Sequence, residues 1–274
     1  MEIAKAHGER ELFDEEKLHS SSIRAGASVD LADSVTRKVA RRAKAGMSSS
    51  DIYEQVLNTL QKESPPVAAR YSLKRAIMEM GPTGYPFERY VAELLGEYGY
   101  RTAVGQIIMG RCVNHEIDVI AQQGEEKAMV ECKFHNRPGT RSDVKVSLYV
   151  YARYLDVINT WRTEDGEGKM KYVPWLVTNT KVTDDAARYG QCAGLRVTGW
   201  RYPVDGSLEK LVESKKLYPL TVLQLLSRST WALLSRHGFV LCRDILQSDA
   251  SEIGRVCGIK TNLVGRLQEE ARAL

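Results

Sequence analysis

The sequence predicts a multidomain protein of the α+β / α/β class: a small hairpin followed by helices, a mixed sheet flanked by helices, and a helical C-terminal module. Three observations carry this. Three strand-like runs lie between residues 100 and 134, and in the second Ile117, Val119 and Ala121 fall at every other position. The stretches on either side of the centre instead repeat apolar side chains at helical spacing. Between the first two regions Gly81-Pro82-Thr83-Gly84-Tyr85-Pro86 breaks the chain. The expected parts are 1–82, 83–205 and 206–274.

The first part opens with a hairpin: Ile3-Ala4-Lys5, a turn at His7-Gly8-Glu9, then Glu11-Leu12-Phe13. Asp14 is placed to cap a first helix bearing Leu18 and Ile23, which stops near Gly26. A second helix carries Leu31, Val35 and Val39 at i, i+4 and i+8. Ser50 is the expected cap of a third, with Ile52, Val56 and Leu60 in line. Pro65-Pro66 opens a fourth, with Val67, Tyr71 and Ile77 inward.

The central part starts with the helix PFERYVAELLGEYG, in which Glu88 stands beside the apolar stripe. Strands follow over Tyr100 to Met109, His115 to Ala121 and Ala128 to Phe134. A long helix is expected from about Ser142 to Asn159, with Val146, Tyr149, Val150 and Tyr154 inward. Then come a strand at Trp175 to Thr178, a helix at Asp184 to Cys192 and a strand at Leu195 to Trp200. The order α-β-β-β-α-β-α-β predicts a mixed sheet. The last part, Leu208 to Leu274, is leucine-rich and reads as short helices and turns.

Charge and cysteines limit the function classes. Lys and Arg number 39 against 35 Asp and Glu, and the net charge of +4 includes no basic tail. Nucleic-acid contacts, if made, come from local patches. No apolar run is long enough to cross a bilayer, and the first residues lack the apolar core of a signal peptide, so a cytoplasmic protein is expected. The five cysteines, at 112, 132, 192, 242 and 257, form no CxxC pair and read as reduced structural thiols.

The chemistry concentrates in residues 115–135, HEIDVIAQQGEEKAMVECKFH. Alternation puts Glu131 and Lys133 on one face of their strand and Cys132 on the other, with Asp118 on the preceding strand. Such charges otherwise read as a surface ion pair on an edge strand. Here they interrupt apolar strands, where an unpaired charge is costly to bury, and a functional site is one reason to accept that cost.

Asp118 with Glu131-Cys132-Lys133 resembles the core of the PD-(D/E)xK nuclease superfamily. Phe87-Glu88, His115-Glu116-Ile117-Asp118 and Val177-Thr178-Asn179 are similar to its Mrr-like, restriction-endonuclease-like branch. The resemblance spans the central part. It implies that Asp118, Glu131 and the Cys132 carbonyl hold Mg²⁺ or Mn²⁺, with Glu88 an outer ligand. Lys133 is implied to orient or deprotonate the attacking water, or to stabilise charge on the phosphate. His115 and Lys145 are further candidates, and His135 reads as a structural hydrogen-bonding group.

Ile3-x-Lys5-x-x-Gly8, Glu11-x-Phe13-Asp14-x-x-Lys17-Leu18, Ser49-Ser50-Asp51-Ile52 and Val67-Ala68-Ala69-Arg70-Tyr71 resemble the ATP-cone, a nucleotide-sensing domain. Ala6-His7 replaces the usual Arg-Asp of that family. The resemblance implies an ATP or dATP ligand, with Lys5 and Lys17 at phosphates, Gly8 in the turn, and Glu11 and Asp14 near base or ribose. The last part loosely resembles a helix-hairpin-helix module carrying Gly258, beside an equal reading as a helical cap or dimer contact.

Together these resemblances imply a nucleotide-regulated, metal-dependent endodeoxyribonuclease, a homo-oligomer acting on DNA, with defence against foreign DNA as a biological role. Two alternatives stand beside it: a non-catalytic nucleotide-responsive DNA-binding regulator, and a structure-selective repair or junction nuclease.

Overall fold

A computed structural model describes residues 2–4, 10–137, 139–165 and 169–274. The chain divides into two units, one of residues 1–76, 220–233 and 242–274 and one of residues 77–219 and 234–241.

In the first unit β1 (Glu2–Ala4) pairs antiparallel with β2 (Arg10–Leu12), with Ile3 opposite Glu11. Then come α1 (Glu15–Arg24), α2 (Val29–Arg42), α3 (Ser49–Glu63), α4 (Pro65–Tyr71) and α5 (Leu73–Met78). Asp14 caps α1 as expected, accepting from the Lys17 N–H at 3.2 Å. The cap of α3 is Ser48 and not Ser50: Ser48 and Asp51 exchange side-chain and backbone bonds in a capping box. Ser50 lies inside the helix because Asp51, three residues after Ser48, is the reciprocal partner that fixes its start. Val35, Val39, Ile52, Val56, Leu60 and Val67 form the core of this region.

The same unit takes in a short 3-10 turn at Leu220–Val222 and the helices α11 (Cys242–Leu246), α12 (Ala250–Cys257) and α13 (Thr261–Arg272). The buried Gln268 amide of α13 donates to the carbonyls of Ile245 and Ser248 at 2.7 and 2.9 Å, which satisfies it inside an otherwise apolar core. Gly258 ends α12 in the left-handed region at φ 68°.

The second unit begins with α6 (Tyr85–Glu97), whose Phe87, Tyr90, Val91, Leu94 and Leu95 are buried. It continues with β3 (Arg101–Met109), β4 (Asn114–Gln123), β5 (Glu126–Lys133), β6 (Arg141–Ser142), α7 (Val144–Glu164), β7 (Lys171–Thr178), β8 (Lys181–Val182), α8 (Asp184–Ala193), β9 (Arg196–Thr198) and α9 (Leu208–Lys215). The connecting helix α10 is Arg228–Arg236. Five strands make a mixed sheet in the order β3-β4-β5-β7-β9. β3, β4 and β5 run antiparallel; β5, β7 and β9 run parallel. The fold is therefore a mixed sheet flanked by helices.

Two sequence expectations change in detail. α7 runs five residues past Asn159, and Tyr149 is exposed instead of inward. Its ring covers the Arg153 guanidinium at 5.4 Å. β7 starts at Lys171, four residues before Trp175, because it stays in register with all of β5 from Glu126 to Lys133.

Candidate active site

The β4–β5 ladder runs from Gln123↔Glu126 to Val119↔Val130 and stops there. One residue further, Asp118 and Glu131 face the gap. The Cys132 N–H, which the ladder no longer uses, donates to Asp118 Oδ2 at 2.7 Å. A carboxylate thus replaces a strand carbonyl as the acceptor, which fixes Asp118 where the two strands part. Met129 packs in the core against α7, so Glu131 and Lys133 lie on that same face by alternation.

Arg153 comes from α7 to meet them. Its guanidinium donates to the Glu131 carboxylate and to the Glu116 carbonyl. The pair is largely buried, with the Arg153 side chain 11% and the Glu131 side chain 17% exposed. Glu88, on α6, lies near enough for the charges of Asp118 and Glu116 to act on its carboxyl. Lys133 is exposed at the end of β5. Beyond it, Asn179 clamps the chain: its side chain accepts from the His135 N–H at 2.9 Å and donates to the His135 carbonyl at 2.8 Å.

The electrostatics are those of crowded acids. Burial first, and Asp118 second, push the Glu131 carboxyl up to about 7, with Arg153 and Lys133 opposing. Burial, then Asp118 and Glu116, push Glu88 up to about 7. Asp118 is raised by burial, against the Cys132 hydrogen bond and the Arg153 charge. Among the described residues no three His, Cys, Asp or Glu side chains converge as a ready-made metal cage. The donor set nevertheless fits a hard divalent cation. It offers carboxylate oxygens short of positive charge, and Mg²⁺ keeps several waters and needs only one or two protein carboxylates.

The remaining candidates sit elsewhere. His115 Nε2 is held by Asp156 at 2.8 Å, and the same carboxylate accepts from the Cys112 and Val113 N–H groups at 2.9 and 3.3 Å. His115 thereby helps fasten the β3–β4 loop to α7, and its hydrogen bond is the first cause holding the Asp156 carboxyl down at about 2. Lys145 is exposed in the first turn of α7, its N–H taken by the cap Asp143 at 3.1 Å. His135 bonds Ser142 at 3.1 Å. In the first unit Lys17 Nζ lies 3.6 Å from Glu11 and 3.8 Å from Asp14, while Lys5 and Gly8 lie outside the described residues. Sequence reasoning missed Arg153 and Glu116. A signal existed for Arg153: it stands between the inward Val150 and Tyr154, a place where a charge has to find a partner.

Residues 1–79 match the ATP cone domain and residues 80–154 match a restriction endonuclease domain. Glu88, Asp118, Glu131, Lys133 and Arg153 all fall within the second. The chain is thus an ATP-cone domain followed by a restriction-endonuclease-like domain. Residues 218–274 match the C-terminal domain of AF1548-like proteins. An uncharacterised protein of Archaeoglobus fulgidus is 38% identical over 182 residues, 66% of this chain and 98% of that one. The crystal structure of the protein of unknown function AF1548 aligns with a TM-score of 0.60 at 37% identity, over 69% of this chain and 97% of that one. The chain belongs to the AF1548-like family. Among the described residues no helix is long and apolar enough to cross a membrane.

Proposed function

We propose that the protein is an endodeoxyribonuclease that hydrolyses DNA phosphodiester bonds with Mg²⁺ or Mn²⁺, under control of ATP or dATP bound by its N-terminal domain. The observation that supports this best is geometric: where the β4–β5 ladder ends, the Asp118 carboxylate accepts from the Cys132 N–H at 2.7 Å, next to Glu131 on β5. Asp118, Glu131 and the Cys132 carbonyl would hold the ion, and Glu88 would hold one of its waters. When bound, the ion supplies Lewis acidity at the phosphate and acidifies a coordinated water. Lys133 would orient or deprotonate the attacking water, or stabilise charge on the phosphate. The Asn179 clamp keeps the segment after Lys133 in place.

In the N-terminal domain Lys5, Gly8 and Lys17 would take the phosphates, and Glu11 and Asp14 would take the base or ribose. Nucleotide binding acts by changing subunit association of a homo-oligomer. Defence against foreign DNA in the cytoplasm is the biological setting that fits this chemistry. Plasmid cleavage by purified protein in Mg²⁺, with EDTA and Glu131→Gln as controls, tests the activity. A panel of branched DNAs separates a general nuclease from a junction-selective one. A metal-independent result, or full cleavage by Glu131→Gln, removes the site. Light scattering across a protein titration, with and without ATP or dATP, tests the switch. A coupling of roughly 1–3 kcal/mol gives an association shift of about 5- to 150-fold.

A further inference from the structure

Arg153 places its guanidinium against Glu131 and the Glu116 carbonyl, and does more there than balance charge. It bridges two strands at the point where their ladder has stopped: β4 through the Glu116 carbonyl and β5 through the Glu131 carboxylate. Glu131 is also a donor assigned to the divalent cation in the reading above, on which this inference rests. A carboxylate oxygen that accepts from a guanidinium is not available to a metal in the same direction. The exposed Tyr149 ring, 5.4 Å from the guanidinium and one helical turn before it, offers a second surface on which the planar group can rest.

We propose that Arg153 is a positioning residue that holds Glu131 in place of the metal and exchanges with it. When a divalent cation takes Glu131, the guanidinium leaves that carboxylate, stays on the solvent-exposed Tyr149 face of α7, and pairs with a phosphate oxygen of the bound DNA. No covalent bond changes in this step. A guanidinium fork suits a phosphate as well as it suits a carboxylate, so the same group serves both states.

Arg153→Met tests this because the exchange moves two readouts in opposite directions. Calorimetry with Mn²⁺ on the full chain is expected to show metal binding tighter by about tenfold, since a fixed positive charge beside the site is gone. Cleavage at saturating Mn²⁺ is expected to fall by about tenfold or more, and DNA binding in Ca²⁺ to weaken. Arg153→Lys keeps the charge without the fork, so its Mn²⁺ affinity is expected to lie between the two. A purely structural staple predicts the reverse for the metal: loss of Arg153 would misplace Glu131 and weaken Mn²⁺ binding. Unchanged or weaker Mn²⁺ binding by Arg153→Met, with melting showing a folded protein, overturns the exchange. Should that variant fail to fold, Arg153→Lys decides alone, and a wild-type Mn²⁺ affinity for it overturns the proposal. Tighter Mn²⁺ binding with wild-type cleavage and DNA binding overturns the phosphate contact. Wild-type protein that binds no Mn²⁺ removes the metal reading itself, and the inference with it.

Discussion

Strand β5 carries two glutamates, Glu126 at its start and Glu131 near its end, and their surroundings are opposite. Glu126 accepts two bonds from Arg196, at 2.8 and 2.9 Å, and one from the Tyr100 hydroxyl at 3.1 Å. The Arg196 guanidinium also stacks on Trp175 at 4.5 Å. Its hydrogen bonds hold the Glu126 carboxyl below the usual range. Glu131 shares Arg153 and Lys133 with Asp118, has Glu88 as a further acid acting on it, and its carboxyl is pushed up to about 7, chiefly by burial. One end of the strand has an acid matched by a bidentate cation. The other has more acids than cations. A matched pair fastens a fold, whereas an unmatched cluster is strained until a further cation arrives, and a functional site is where such strain belongs.

The largest expected effect sets the two ends apart. Glu131→Gln and Asp118→Asn should each lower the Mg²⁺-dependent cleavage rate by about a thousandfold, or about 4 kcal/mol of barrier. Neither should lower the melting temperature of the metal-free protein, because each removes one of the crowded charges, and Asn keeps an acceptor for the Cys132 N–H. Glu126→Gln should do the opposite: stability falls by about 1–3 kcal/mol in urea unfolding, as a bidentate pair is lost. Its cleavage rate, corrected for folded fraction, should stay near wild type. A folded Glu126→Gln protein that cannot cut DNA would erase the distinction.

A smaller effect lies in pH. The folded-state carboxyls of Glu88 and Glu131 titrate at about 7, above the 4.5 of an unperturbed glutamate. The folded state therefore holds protons that the unfolded state has released. Stability from these groups is complete below about pH 4.5 and is lost as pH rises through 7. Glu126 works the other way: its carboxyl is depressed, so its contribution exists above the unperturbed value and is lost as pH falls through the folded one. Thermal melts in EDTA from pH 5 to 8 should show a decline that Glu131→Gln flattens and Mg²⁺ at pH 8 reverses. A wild-type melting temperature that rises steadily to pH 8 in EDTA would contradict the crowding.

How far the sequence revealed this depends on whether an interaction is local. The placement of Asp118 and Glu131-x-Lys133 on adjoining strands is legible from alternation, and that of Glu88 on α6 from its apolar stripe. Asp14 was legible as a cap for the same reason, its partner being three residues away. Sequence alone favours Ser50 over the observed cap Ser48, because each of three consecutive serines can start a helix and only the reciprocal Asp51 decides among them. Arg153 was missed because its partners are 22 and 37 residues distant, on strands whose divergence no local pattern encodes. His115 had chemistry without an address: only the fold brings Asp156, 41 residues later, to its ring.

The smallest expected change in stability belongs to Lys17, where charge is neither matched nor crowded but exposed. Its side chain is 66% accessible and lies 3.6 and 3.8 Å from Glu11 and Asp14, distances at which solvated ion pairs contribute little. Lys17→Ala should change the unfolding free energy by less than about 0.5 kcal/mol. A lysine that meets a nucleotide phosphate is another matter, since a charge-assisted contact contributes about 1.5–3 kcal/mol, which is roughly 10- to 150-fold in affinity. The two numbers together separate a ligand contact from a solvated face. Asp14 cannot be tested by alanine in the same way, because losing the cap of α1 costs about 1 kcal/mol on its own; Asp14→Ser keeps a capping oxygen and removes only the charge. Calorimetry of the full chain with ATP and with dATP reads the outcome. Wild-type affinity in Lys17→Ala takes this lysine out of the nucleotide site, and no heat from the wild-type protein with either nucleotide takes the site out of the molecule.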